Sequence, residues 1–304
     1  MTTRWPRLLL KAAKGTRGRN YPLFPPETWT TRYPLDWRSL AAPTDARGAV
    51  MVGQDDGTPW LHPVATSFAL LARLQATPQR SDGKIIEASV RSLIEAQQSD
   101  GSWRYPVAVP RYGARPGWSS GMAQGLAISA LTRSIAVLAD TTLAATIEAS
   151  VRRAHDHLML PTTGGGCSIY DAAGAPFFEE CPVEPVPYIL NGACFALIGL
   201  WDFERAFGGE AGAPAARRLS ALLPAWDLGY WSRYDLLSGA PSSPDYHSLH
   251  VSLLRVLAAL YAEDFAEYEA RFRRYRTSRP RRWKALAVLA VERLVVPVEV
   301  RHGT

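Results

Sequence analysis

Cysteine is scarce: Cys167, Cys181 and Cys194 are the three in 304 residues. That excludes a small disulfide-stapled fold. Their spacing also lacks the paired C-x-x-C of a structural zinc site. No uninterrupted apolar run reaches the ~18 residues that a membrane span needs. No Gly-rich dinucleotide turn and no metal-spaced cluster of His, Cys and acid is found. Acid is missing from two stretches. Residues 1–20 hold Arg4, Arg7, Lys11, Lys14, Arg17 and Arg19, and residues 271–284 hold seven arginines and Lys284. The remainder has 20 basic against 28 acidic residues, so an acidic body carries basic ends within a net charge of +6.

What is present is a folding composition, 47% hydrophobic and 20% charged, which offsets the ordering entropy and excludes disorder for most of the chain. The length allows one large domain or two small ones. The basic ends attract polyanions, whether nucleic acid, anionic lipid or acidic polysaccharide; a solvated charged helix face is the ordinary alternative. The stretch Trp5–Leu10 is too short for a signal-peptide core, so a cytoplasmic location is expected, with possible membrane association. The apolar tail 283–296, WKALAVLAVERLVV, could lie on a membrane surface beside its basic flank or dock on the body; docking is the expectation.

Residues 20–60 are rich in Pro, Gly, Trp and Asp and predict irregular or short-strand structure. Apolar positions at helical spacing predict helices over 62–77, 85–97, 122–139, 143–159, 188–207 and 215–227, the last stopped near Pro224, and again over 251–264 and 265–276. Residues 164–182 predict a short hairpin, and 228–250 hairpin and loop. The organisation expected is a Pro/Trp-rich segment over 1–60 packing on the body, a helical domain over 61–275 and a basic, apolar tail over 276–304. Paired helices of this length suggest a mainly α, α/α-toroid-like fold, an incomplete α/α barrel with short β-hairpins in its loops and a cleft at the loop end.

Three separated blocks carry a resemblance. DGSWRYPVAVPRYGARPGWSSGMAQGLAISAL (100–131) is similar to the segment of D-glucuronyl C5-epimerases that ends in Gly-Trp-x-Ser-x-Met-Ala-Gln-Gly. FFEECPVEPVPYILNGACFALIGLWDF (177–203) resembles that family's Glu-Glu-Tyr-Pro loop and Leu-Asn-Gly helix. RYDLLSGAPSSPDYHSLHVSLL (233–254) resembles its Tyr-Asp-Leu and Asp-Tyr-His-x-x-His segments. The resemblance covers roughly residues 60–275 and corresponds to the helical catalytic domain. It implies inversion at C5 of a D-glucuronosyl unit in a heparosan-like chain, giving L-iduronate. The C5 proton is acidified by the adjacent carboxylate, and two acid/base groups must flank the ring. No metal or other cofactor is demanded. The partner implied is an acidic, glucuronate-containing polysaccharide and not nucleic acid; exposed apolar helices would also suit a homodimer.

By position, Glu180 matches the family's catalytic glutamate, and the adjacent Glu179 could raise its pKa. Tyr246 matches the tyrosine of the Asp-Tyr-His block and is the candidate opposing acid/base; Tyr234 matches that of Tyr-Asp-Leu. The ordinary alternatives are a solvated loop acid and two packing tyrosines. His247 and His250, at i and i+3, share a helix face and could orient a tyrosine or contact the substrate carboxylate. Asn191 could contact a sugar hydroxyl or serve as a cap. Trp118 and Gln124 fit a sugar site through stacking and hydrogen bonding, or a core. Arg111 and Arg115 could hold uronate carboxylates or be plain surface arginines. RFRRYR (271–276) could bind an acidic chain outside the cleft.

The chain departs from the family pattern in three places. Cys181 replaces the tyrosine after the catalytic glutamate and could act as an acid/base or be an inert buried thiol. Leu237 stands where an arginine follows Tyr-Asp-Leu, and Ser119 replaces the tyrosine of Gly-Trp-Tyr-Ser. Competing readings are an α/α polysaccharide lyase, a catalytically inactive acidic-glycan-binding protein, and a terpene-cyclase-like toroid suggested by AQQSDGSW. The last is weakened by the lack of an Asp-x-Asp-Asp motif.

Overall fold

Runs of Ala, Leu, Ile and Val at helical spacing, bounded by Gly- and Pro-containing turns, make helix the dominant element. The computed structural model describes residues 18–54, 56–76, 82–138, 140–261 and 264–295. Among these residues are nine α-helices: α1 (Pro63–Gln75), α2 (Asp82–Ala96), α3 (Gly121–Ile135), α4 (Thr141–Met159), α5 (Leu190–Phe207), α6 (Gly212–Leu222), α7 (Pro244–Tyr261), α8 (Phe265–Thr277) and α9 (Arg279–Val295). Two antiparallel ribbons accompany them, one before α1 and one between α4 and α5. β1 (Met51–Gly53) pairs with β2 (Pro59–Leu61), Val52 opposite Trp60. β3 (Ser168–Tyr170) pairs with β4 (Pro176–Phe178), Ile169 opposite Phe177.

Helix starts follow from local chemistry. Pro63 occupies the first position of α1 and His62 Nδ1 accepts the Ala65 amide; Ser120 caps α3 and Asp140 caps α4. Helices α1, α3, α5 and α7 touch in succession, and α2, α4, α6 and α8 each pack beside them. The tightest pair is α3–α5. A Cβ on Gly125 would lie 2.4 Å from Ala196 Cα, and one on Gly199 only 2.2 Å from the Gly125 carbonyl oxygen. These two glycines therefore let the backbones meet. A buried ion pair joins the same helices: Arg133 (α3) donates to both Asp202 (α5) oxygens at 2.7 and 2.9 Å.

The segment before α1 packs into the main core through Phe24, Trp29, Tyr33, Leu35 and Trp37. Two buried polar side chains pin it. Gln75 accepts the Trp37 amide and donates to the Tyr33 and Leu35 carbonyls. Arg133 donates to the Trp29 carbonyl. The first 17 residues, with five of the six N-terminal cations, lie outside the described residues, as do residues 296–304.

The helices expected over 62–227 fall on α1 to α6, and the 164–182 hairpin is β3–β4. One expectation is corrected: residues 244–250 are the first two turns of α7, not loop. Pro244 at the first helical position loses no hydrogen bond there, and Asp245 in the first turn complements the helix dipole.

Candidate active site

The chain leaves β4 through Glu179 and Glu180. The end of β4 is held on both sides, because the Glu179 amide donates to the Cys167 carbonyl and the Gly121 amide donates to the Glu179 carbonyl. The two carboxylates then part. Glu179 is fully buried, and its oxygens accept the backbone amides of Cys181 (3.2 Å) and Tyr188 (2.7 Å). It therefore folds the 181–189 loop rather than facing a substrate. Burial pushes its carboxyl up to about 8 against those amides.

Glu180 is only partly buried and turns to the N-terminus of α5. That helix starts at Ile189, which supplies no side-chain cap. Glu180 takes the vacant role: its Oε2 accepts from Asn191 Nδ2 at 2.9 Å, and the Gly192 amide also hydrogen-bonds to it. A Cβ on Gly192 would sit 2.3 Å from Glu180 Cβ and 2.5 Å from Oε2, so the glycine is the seat of the carboxylate. Burial raises the Glu180 carboxyl, Asn191 and Gly192 lower it, and the balance is about 7. A carboxylate at that value exchanges protons near neutrality.

Phenols surround this carboxylate. The Glu180 charge bears on Tyr105, Tyr112, Tyr234 and Tyr246, and burial raises all four above the ordinary phenol value. They are therefore neutral hydroxyls and proton donors. Tyr234 and Tyr246 meet edge-on with centroids 4.6 Å apart. The Tyr112 hydroxyl donates to Asp235 (2.9 Å), which also accepts from Arg111 (2.7 Å). The Arg111 guanidinium lies over the rings of both Tyr112 and Tyr234. Trp118 stacks on Tyr105 at 4.2 Å, and Trp60 and His62 continue this aromatic wall.

Glu180, Asn191, Tyr234, Tyr246, Arg111 and Trp118 thus converge on one place. Four other candidates do not reach it. Gln124 is buried with its amide committed to the Trp103 amide and the Gly101 and Ala154 carbonyls. His247 and His250 are fully buried, both Nδ1 atoms on Ser232 Oγ at 2.7 and 2.9 Å. The Phe272 carbonyl fixes the His247 proton on Nε2, and the Trp231 ring stacks on the imidazole. The pair therefore holds the 231–242 loop that carries Tyr234, without touching a sugar. Glu179 is the fourth. Arg115 is exposed.

Cys181 sits in a small apolar cluster with Val109, Tyr112, Ala114 and Ile189. Burial and the charges of Glu179 and Glu180 push its thiol up to about 12, so it stays protonated. Leu237 is exposed. Ser119 is buried and bonds to His157 Nε2 (3.0 Å). Tyr105, Tyr112, Asp235 and Gly192 were missed by sequence reasoning. The available signal was that each lies inside one of the three blocks.

A family model described as D-glucuronyl C5-epimerase C-terminus matches residues 97–274. The chain is similar to the D-glucuronyl C5-epimerase of Caenorhabditis elegans, with 32% identity over 198 residues, 57% of this chain and 31% of that protein. It is also similar to an uncharacterised protein of Methanocaldococcus jannaschii, with 26% identity over 155 residues and 49% of each chain. The chain thus spans about a third to about a half of the length of these relatives. Since the family match takes in well over half of the chain, and both Glu180 and the tyrosine pair fall inside it, the chain belongs to the D-glucuronyl C5-epimerase C-terminal family.

Proposed function

We propose that the protein is a polysaccharide uronate C5-epimerase that converts D-glucuronate to L-iduronate in a heparosan-like chain, on an incomplete α/α toroid whose loop ends carry the site. The observation that carries this reading is the Glu180 carboxylate, held at a helix N-terminus with a pKa of about 7 and faced by neutral tyrosines. Ionised Glu180 takes the C5 proton, and the electron pair left on carbon delocalises into the substrate carboxylate. A phenol, Tyr246 with Tyr234 behind it, returns a proton to the opposite face. Arg111, half-exposed beside Tyr234, steadies the developing charge on the carboxylate. The Tyr105–Trp118 stack offers an apolar wall for a sugar ring.

The test is incubation with heparosan, plain and N-sulfated, in deuterated water, read by proton NMR at C5. Deuterium at C5 together with iduronate signals is expected. Glu180→Gln and Tyr246→Phe should each cut the rate by at least ~100-fold, the range for loss of a general acid or base. The wild-type rate should fall as pH drops below about 7, because the base is then protonated. No exchange with either polymer sinks the reading, and an ultraviolet-absorbing unsaturated product would replace it with a lyase.

A further inference from the structure

Helices α8 and α9 are joined by the single residue Ser278, and their corner concentrates positive charge. The last turns of α8 carry Arg273, Arg274 and Arg276, and the first turn of α9 carries Arg279, Arg281 and Arg282. Between them lies a cavity of about 290 Å³ lined by Arg273, Arg276, Thr277, Arg279 and Arg282, with no acid among the lining residues. Of the lining residues, Arg273 pairs with Glu269, which is almost buried and shared with Arg255. A helix start already bears partial positive charge, and α9 has no acid in its first turn to offset it.

Helix α9 is also two-faced. Ala285 is buried against the body, Glu292 lies on the same side one heptad on, and Lys284, at the edge of the helix, reaches over the Tyr230 ring. The opposite side holds Trp283, Ala287, Ala290 and Val291, which fall within one arc at 3.6 residues per turn. All four are exposed, Trp283 at 52% and Val291 at 58%. Arg279, which lines the cavity, lies one turn before Trp283 on the same side. The apolar stripe and the arginine basin are therefore continuous.

We propose that this surface seats the protein on an anionic phospholipid bilayer, with lipid phosphates in the arginine basin and Trp283 and Val291 in the interface. Charge complementarity selects the anionic surface. The apolar stripe selects lipid over a soluble polyanion, because a polysaccharide gives Val291 nothing apolar to bury against, whereas a bilayer takes both an aromatic and an aliphatic side chain. Among the described residues no helix is long and apolar enough to cross a membrane, so the contact is peripheral.

The test is co-sedimentation of the full chain with vesicles of phosphatidylcholine alone and of phosphatidylcholine mixed with phosphatidylglycerol. Free inorganic phosphate and heparosan serve as competitors. Binding only to the anionic vesicles is expected, with little loss on adding phosphate at equal charge. Trp283→Ser with Val291→Ser should weaken it at least tenfold, and so should Arg279→Glu with Arg282→Glu. Trp283, Val291 and Arg279 are exposed and Arg282 is half-buried with its guanidinium on the Arg276 carbonyl, so an unchanged melting temperature is required of each variant to show that it folds. Three results overturn the proposal. One is no preference for anionic vesicles; another is binding that the basin variant abolishes but the serine variant leaves intact, which marks a polyanion site open to polysaccharide. The third is binding that survives both variants, which would place the contact elsewhere in the chain. The readout needs no turnover, so it stands or falls separately from the epimerase reading.

Discussion

At Glu180 two neighbours and burial decide what one carboxyl can do. Desolvation raises its pKa, and the Asn191 side-chain amide and the Gly192 backbone amide hold it in place and pull the value back toward neutrality. Gly192 is the residue that makes room. In Gly192→Ala the new Cβ would fall 2.3 Å from Glu180 Cβ, and the carboxylate must shift by roughly an ångström, a displacement that can cost ~100-fold in rate. The helix itself gains, since Ala is better than Gly by up to ~1 kcal/mol in a helix interior. The expected variant melts within a few degrees of wild type yet loses most C5 exchange, and full activity would show that Glu180 does not need this seat. Much of the site was legible in the sequence, because Glu180, Asn191, Tyr234, Tyr246 and Trp118 could be named from three motif blocks. What stayed hidden was direction. No spacing rule tells that Glu179 points into the loop amides while Glu180 points out, or that His247 and His250 turn away onto Ser232. Glu179 closes on amides two and nine residues on, and the histidines on a serine 15 and 18 residues back, contacts that exist only once the loops are folded.

At the scale of elements, periodicity found the helices because their apolar faces are long and regular. It missed the start of α7, where Ser-Ser-Pro-Asp reads as turn and is in fact the helix entry. It also gave no hint that Arg133 and Asp202, polar residues in otherwise apolar helices, meet across the α3–α5 contact. That pair is nearly sealed from solvent, with Arg133 bonding Asp202 and the Trp29 carbonyl together. It ties α3 and α5, the helix that presents Asn191 and Gly192 to Glu180, to the N-terminal segment. Removing one partner leaves a buried charge with no counter-ion, so Asp202→Ala should destabilise the protein by about 3–5 kcal/mol. Chemical denaturation would measure it. A loss under about 1 kcal/mol would mean that Arg133 escapes to water and that the α3–α5 contact is held by packing alone.

For the whole molecule, the buried titratable groups pull in opposite directions with pH. His250 is pushed down to about 3 and His247 well below its ordinary value, both chiefly by burial. The folded chain keeps them neutral while the unfolded chain protonates them near 6.5, so stability drains as pH falls through that range. At pH 5 His250 alone costs about 2 kcal/mol, and His247 adds to that loss. Glu179 and Glu180 act the other way. Their folded values, about 8 and about 7, lie above the unfolded one, so the folded state holds the extra protons and gains stability as pH falls from 8 toward 4.5. Between pH 7 and pH 5 that gain is about 5 kcal/mol for the pair. The two effects oppose each other, with His62, His155 and His157, also lowered chiefly by burial, adding to the histidine loss, so the wild-type urea midpoint should change less over this window than the carboxyls alone would move it. Below pH 4.5 the carboxyl gain is exhausted while the His250 loss continues, and Asp36, Asp56 and Asp100, whose folded values are lowered, join it. Stability should then collapse steeply. Glu180→Gln removes one of the compensating groups, so its midpoint should fall between pH 7 and pH 5 by the equivalent of about 2 kcal/mol relative to wild type. Parallel curves for the two proteins would mean that Glu180 titrates alike in the folded and unfolded chains, and that burial does not lift its carboxyl toward neutrality.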